Sequence, residues 1–366
     1  MFHDDRMKIL EYPTTWMFAV VERGRSNRPK TWIAYAEDLL DFLRVCEANE
    51  WDLMRPLRGQ LAAYRDQLQT RLIKRLGYEK PLSIGTINRR LHTAMTFYLW
   101  LKQEGLVSEL PFRLEERRIR PADTDALAHA RRTTSLQNNV TLPPAPERTP
   151  VALKMHEITA ILGALSERDE LIAAIALSTG AREDEILSLN VDQIPNSQRY
   201  SSEKSVPITL FKTKGLKQRD LYIPLPILIR LTRYIYGERA RIVRDCLLRG
   251  EAADPKAVFL TIKGQRYAAR SIQKTFRAAA DSARSSAVFH DLRHTFAIYR
   301  LVQLRQAPLV DNQGRSADPL ITLKGLLGHS KVTTTFKYLR ALDSDPHLAE
   351  DAMLNWVNEW SQRVSV

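Results

Sequence analysis

His290-Asp291-Leu292-Arg293-His294-Thr295-Phe296-Ala297 sets His290, Arg293 and His294 at i, i+3 and i+4, one face of a helix. Two histidines at that spacing invite a zinc reading. The stretch has no glutamate after the first histidine, however, and Arg293 would aim a fixed positive charge at the ion. Both features disfavour a metal on this face, and further cationic and nucleophilic side chains lie elsewhere in the second half of the chain.

Four motifs flank this face. Upstream lie Ser178-Thr179-Gly180-Ala181-Arg182-Glu183-Asp184-Glu185 and Lys212-Thr213-Lys214-Gly215. Downstream lie Leu326-Leu327-Gly328-His329 and, nine residues on, Tyr338. Transfer of a phosphodiester needs a nucleophile and cations for the non-bridging oxygens. It also needs an acid for the leaving oxygen and a group to take the nucleophile's proton. Arginine forks supply the positive charge without a metal, because a guanidinium matches two phosphate oxygens and stays charged. Singly, each residue has an ordinary alternative: a surface arginine, a solvated turn lysine, a packing tyrosine among 12.

In this order and spacing the motifs resemble the catalytic signature of the tyrosine recombinases, or lambda-type integrases. The resemblance implies that Arg182 and Arg293 clamp the two non-bridging oxygens and that Glu185 orients Arg182. It implies that Lys214 protonates the leaving 5′ oxygen, with Lys212 and Lys217 as competitors for that place. It gives His290 the tyrosine proton or a phosphate contact, His329 a phosphate contact, and Tyr338 the nucleophilic role. His294 reads as a structural partner. Neither cofactor nor metal is implied. Between Ala297 and Ile321 the chain departs from the family, with an insertion over 306–319.

The chain has 366 residues, enough for two domains with real cores. Its 55 Lys and Arg against 42 Asp and Glu give a formal charge of +13, which favours a polyanionic partner. Cys46 and Cys246 form neither a disulfide framework nor a metal spacing. With no signal peptide and no apolar run of about 18 residues, a cytoplasmic protein is expected, associated with the nucleoid when on DNA.

Residues 1–25 read as an N-terminal extension. Residues 26–112 read as helices, with apolar positions Trp32, Tyr35, Ala36, Leu39, Leu40 and Leu43, a second stretch from Leu57 to Leu76, and a third from Thr86 to Lys102. Between Arg55 and Arg90 there are nine Lys or Arg and only two acids, an apparent phosphate-facing surface. Residues 113–150, closed by Pro143-Pro144-Ala145-Pro146, read as an interdomain linker with a helix over 122–131. From Val151 the pattern predicts a mainly helical α+β domain with one β-hairpin over 208–225, running to residue 341. Leu348, Ala352, Met353, Trp356, Val357 and Trp360 then predict a helical tail within 342–366. By resemblance, the architecture is a two-domain clamp on DNA, a helical core-binding domain lying across the duplex from the catalytic one. The tail would pack into a neighbouring protomer.

The expected activity is site-specific recombination of double-stranded DNA, of integrase or transposase type on a mobile element, through a 3′-phosphotyrosine. By resemblance a homo-tetramer assembles on the DNA, with accessory DNA-binding or co-recombinase proteins as further partners. Two alternatives carry different expectations: a type IB topoisomerase, which reseals the same strand, and a catalytically silent DNA-binding regulator, which forms no covalent adduct.

Overall fold

The computed structural model describes residues 2, 10–22, 29–75, 78–118, 134–146, 149–200, 202–210, 218–306 and 316–344. The chain divides into two compact units, Met1–Glu147 and Arg148–Val366. Among the described residues the structure is mainly helical, with three two-stranded antiparallel sheets. No described helix is long and apolar enough to cross a membrane.

The first unit is built from helices α1 (Glu11–Glu22), α2 (Pro29–Ala48), α3 (Gln60–Thr70) and α4 (Ile84–Gln103). Its core is aromatic: Phe42 meets Tyr64 and Tyr98 edge-on at 5.1 and 5.9 Å. The expected extension is not separate from this core, because α1 inserts Trp16 edge-on against Tyr35 and Phe97. The stretch read as a helix from Leu57 to Leu76 also changes course. Arg71 leaves α3 in extended conformation with its guanidinium 2.5 Å from Asp41, and the chain enters a hairpin, β1 (Leu72–Arg75) with β2 (Tyr78–Pro81).

Among the described residues, five of the basic side chains between Arg55 and Arg90 are seen paired with acids. Arg71 and Arg90 hold Asp41, Arg89 and Arg90 hold the buried Asp38, Arg65 holds Asp66, and Arg58 reaches Glu109. Much of that charge therefore organises the unit itself, a use that a count of basic residues does not reveal.

The proposed linker is largely part of the first unit. Strands β3 (Leu114–Arg118) and β4 (Thr134–Asn138) pair antiparallel. Beyond them Val140 is buried in the aromatic core, and the backbone of Leu142 exchanges two 2.9 Å hydrogen bonds with the Asn88 amide. An apolar Val140 and Leu142 within a polar stretch anchor it. The helix expected over 122–131 lies outside the described residues.

In the second unit, α6 (Glu167–Thr179) is the central element: every side chain from Leu171 to Leu177 is buried. Burying each leucine or isoleucine of that run contributes about 1.5–3 kcal/mol before conformational entropy is counted. Around it lie α5 (Met155–Gly163), α7 (Glu183–Leu187), α8 (Leu225–Tyr234), α9 (Ala240–Leu248), α10 (Ala269–Ser282) and α11 (Phe289–Gln306). A π-helical turn, Ile235–Arg239, joins α8 to α9. The hairpin pairs β5 (Ser205–Leu210) with β6 (Arg219–Pro224), turning Val206, Ile208, Leu210, Leu221 and Ile223 inward.

A smaller cluster joins α11 to α12 (Pro319–Leu327) and α13 (Thr333–Ser344). Asp318 caps α12 by accepting from the Ile321 amide, and Pro319 takes the first helical position. Helix α13 runs past residue 341, so the domain edge drawn there falls inside it. The predicted tail helix beyond Ser344 and insertion residues 307–315 lie outside the described residues.

Candidate active site

The site is assembled at three chain turns. The first follows α6, where Gly180 adopts φ 65°, the left-handed region that glycine tolerates best. A Cβ there would sit 2.3 Å from the Phe296 ring, so the close approach of α11 also requires glycine. The turn delivers Arg182 to the N-cap of α7, where Glu185 closes a capping box by accepting from the Arg182 amide at 2.9 Å. The other Glu185 oxygen takes the Arg182 guanidinium, also at 2.9 Å.

The second turn ends α12, where Gly328 adopts φ 63°. The last carbonyls of that helix lack intrahelical partners. Arg219 donates to the Leu326 carbonyl, and Arg293 to that of Leu327 at 2.7 Å. Arg293 also donates to the Gly180 carbonyl, so one guanidinium ties the two turns together. It is only 3% exposed; burial, then the Arg182 charge, pushes its pKa down to about 10, which leaves it cationic at neutral pH.

The third turn leads into α13. Arg293 lies 3.1 Å from His329 Nε2, and His329 Nδ1 lies 3.0 Å from the Thr335 hydroxyl. A guanidinium only donates, so Nε2 accepts and the ring proton sits on Nδ1. The ring is neutral: burial first, then Arg293, Arg182, Lys337 and Arg219, push its pKa to about 3. It stacks nearly parallel to the Tyr338 ring, at 6.3 Å and 7°.

Tyr338 is 1% exposed, and its hydroxyl lies 3.1 Å from His294 Nδ1. Burial raises its pKa against the lowering influence of Arg293 and Arg182. His290 meets His294 edge-on at 4.6 Å. It is solvent-exposed, and partial burial of its ring, then Arg293, Lys337 and Arg182, lower its pKa below the usual histidine range.

Six of the residues singled out in the sequence, Arg182, Glu185, His290, Arg293, His329 and Tyr338, thus converge. Lys214 lies outside the described residues. His294, read from sequence as a structural partner, is in hydrogen-bonding contact with the nucleophile candidate. Arg219 had no place in the sequence reading. Arg219 lies 2.6 Å from Glu185, with its side chain 10% exposed. Strand period gives a signal for it: Arg219 shares a face with the buried Leu221 and Ile223, and an inward-facing cation needs an acid.

The phage integrase family model matches residues 152–345, more than half of the chain. Among curated relatives, tyrosine recombinase XerC of Bacillus subtilis (strain 168) is 27% identical over 82% of this chain and 82% of its own length. The XerC of Alcanivorax borkumensis is 26% identical over 94% of both chains. Among solved structures, XerH site-specific recombinase bound to difH substrate in a pre-cleavage complex superposes with a TM-score of 0.57. It covers 91% of this chain and 84% of that one at 17% identity, a likeness of fold. A family match of that extent decides the membership: this chain is a tyrosine recombinase of the phage integrase family.

Proposed function

We propose that the chain is a site-specific DNA recombinase of integrase or transposase type that cleaves and rejoins strands through Tyr338. The observation that carries this reading is a buried tyrosine among two arginines and three histidines, at a place where Arg293 ties together the turns after α6 and α12. Tyr338 Oη attacks the phosphodiester, Arg182 and Arg293 stabilise the charge on the non-bridging oxygens, and the 5′ oxygen leaves with a proton from Lys214. The 3′-phosphotyrosine conserves the bond energy until the 5′ hydroxyl of a partner strand attacks it. Four protomers on two duplexes would pass through a Holliday junction, with accessory proteins setting direction. The protein would act in the cytoplasm, on the nucleoid. Relatives named as recombinases, and a neighbour of like fold solved on its DNA substrate, support DNA as the partner.

The test uses a pool of random-sequence duplexes. Incubation with the full chain, denaturation in SDS and recovery of protein-linked DNA should give covalent adducts enriched in one sequence. Tyr338→Phe should give none while retaining DNA binding in a gel-shift assay. Adducts with the Phe variant would remove Tyr338 from its role, and none with the unaltered protein would reject the recombinase reading.

A further inference from the structure

We infer that His294, rather than His290, takes the Tyr338 proton during strand cleavage and returns it during resealing. This rests on the reading of Tyr338 as nucleophile. Geometry carries it. Among the described residues the hydrogen-bond partner of Tyr338 Oη is His294 Nδ1, at 3.1 Å. A phenol that donates there requires Nδ1 bare and the imidazole proton on Nε2. His290 meets the His294 ring edge-on, with centroids 4.6 Å apart, and has no hydrogen bond to the hydroxyl. His329 is not placed to serve either: both its nitrogens are engaged, with Arg293 and Thr335, and its ring lies parallel to that of Tyr338.

Chain position explains the contact. His294 follows Arg293 on α11, which packs against α13, so the helix that buries the arginine also presents the next residue to Tyr338. The groups acting on His294 are Lys337 from α13, His290 and Arg293 from α11, and His329 from the turn before α13. Burial first, and then that charge, push its pKa to about 3. Without DNA the proton therefore stays on the phenol. A phosphodiester entering between the arginines brings the opposite charge, raises the basicity of His294, and couples activation of the nucleophile to arrival of its target.

The step balances. The O–H bond of Tyr338 breaks, its proton passes to Nδ1, and the imidazolium forms as Oη bonds to phosphorus. The P–O5′ bond breaks, and that oxygen is protonated by Lys214. In resealing, the incoming 5′ hydroxyl returns its proton to Lys214 as its oxygen bonds to phosphorus and displaces the tyrosine oxygen, which recovers its proton from His294.

The experiment measures adduct formation on the duplex recovered above, with the full chain, His294→Asn and His290→Asn, from pH 6 to 10. Asparagine can keep an acceptor near Nδ1 but cannot carry the proton. His294→Asn should cleave on the order of 100-fold more slowly at pH 7 and gain rate tenfold per pH unit as the phenol ionises unaided. A 5′-bridging phosphorothiolate should not rescue it, since the leaving group is not the defect. His290→Asn should lack that pH-dependent recovery. A His294→Asn rate within about threefold of the unaltered protein, a parallel pH profile, or phosphorothiolate rescue would overturn the inference. So would an equal defect, with the same pH recovery, in His290→Asn.

Should the variant fail to fold, as judged by melting and gel shift, ¹⁵N-histidine spectra of the unaltered protein serve instead. His294 should be neutral in the free protein and an imidazolium in the trapped phosphotyrosine complex. A neutral ring in that complex rejects the assignment. Absence of any adduct with the unaltered chain rejects the recombinase reading itself, and this inference with it.

Discussion

Arg219 Nη2 lies 2.6 Å from Glu185 Oε2, which ties the second strand of the β5–β6 hairpin to the first turn of α7. The same carboxylate orients Arg182, and Arg219 also holds the Leu326 carbonyl at the end of α12. One acid thus registers the three segments that frame the site. Burial would raise the Glu185 pKa, but the charge and hydrogen bond of Arg219, then the Arg182 amide and charge, outweigh it and hold the group ionised.

Glu185→Gln keeps the shape but removes the charge between two arginines. Breaking a buried ion pair from one side costs about 3–5 kcal/mol, and the amide's remaining hydrogen bonds place this substitution near the lower figure. Urea denaturation should show the loss in the transition of the second unit alone. A midpoint unchanged from the parent would mean that the carboxylate does not hold the three segments together.

Gly180→Ala tests the first turn. Its φ of 65° disfavours a side chain, and the added methyl would meet Phe296 at 2.3 Å and Leu327 at 2.9 Å. Backbone strain alone costs about 1–3 kcal/mol, and displacing Phe296 shifts the α11 face that carries Arg293. Stability and adduct formation should both fall. A variant that cleaves at the parental rate would show that the turn tolerates the movement.

Much of this site was legible because its chemistry lies in short motifs on turns, where residue type and local geometry are coupled. Gly180 before Arg182 and Gly328 before His329 mark left-handed helix ends, which place the next side chains in the site. Arg219 was not read because its partner is distant in sequence, and pairing across elements leaves little local trace. In sequence His294 takes a supporting place, because spacing along one helix face does not distinguish which of two histidines reaches Tyr338. In the first unit, periodicity found the helices. It missed the pairing of basic residues with Asp38 and Asp41, and the anchoring of the proline-rich segment through Val140 and Leu142.

Acid should loosen the second unit before it affects the carboxylates. His294 and His329 are held near 3 in the folded chain by burial and nearby cations, against about 6.5 when unfolded. Below pH 6.5 the unfolded chain therefore binds more protons than the folded one, and the equilibrium shifts toward unfolding. The stability these groups contribute is complete above that pH and is lost progressively toward pH 3. Melting temperature of the second unit should fall between pH 7 and 4, and less steeply in His329→Asn. Identical slopes in the two proteins would exclude His329 as a source of the lability.

Arg293→Lys separates charge from geometry. The guanidinium serves two carbonyls, of Gly180 and Leu327, together with His329 Nε2, and so spans the turns after α6 and α12. An ammonium keeps the charge but is a single point of donation on a shorter reach, and cannot reproduce the planar fork. With the fork lost, the Leu327 carbonyl or the Gly180 carbonyl is left buried without its donor, and His329 loses the group that fixes its ring against Tyr338. Cleavage should slow by roughly 10²–10³-fold, the range for removing one preorganised donor of transition-state charge, while gel-shift affinity changes little. Because the defect includes a displaced His329, raising the pH should not restore activity, in contrast to the recovery expected of His294→Asn. If the lysine variant cleaves within about tenfold of its parent, charge alone suffices at this position and the fork is dispensable.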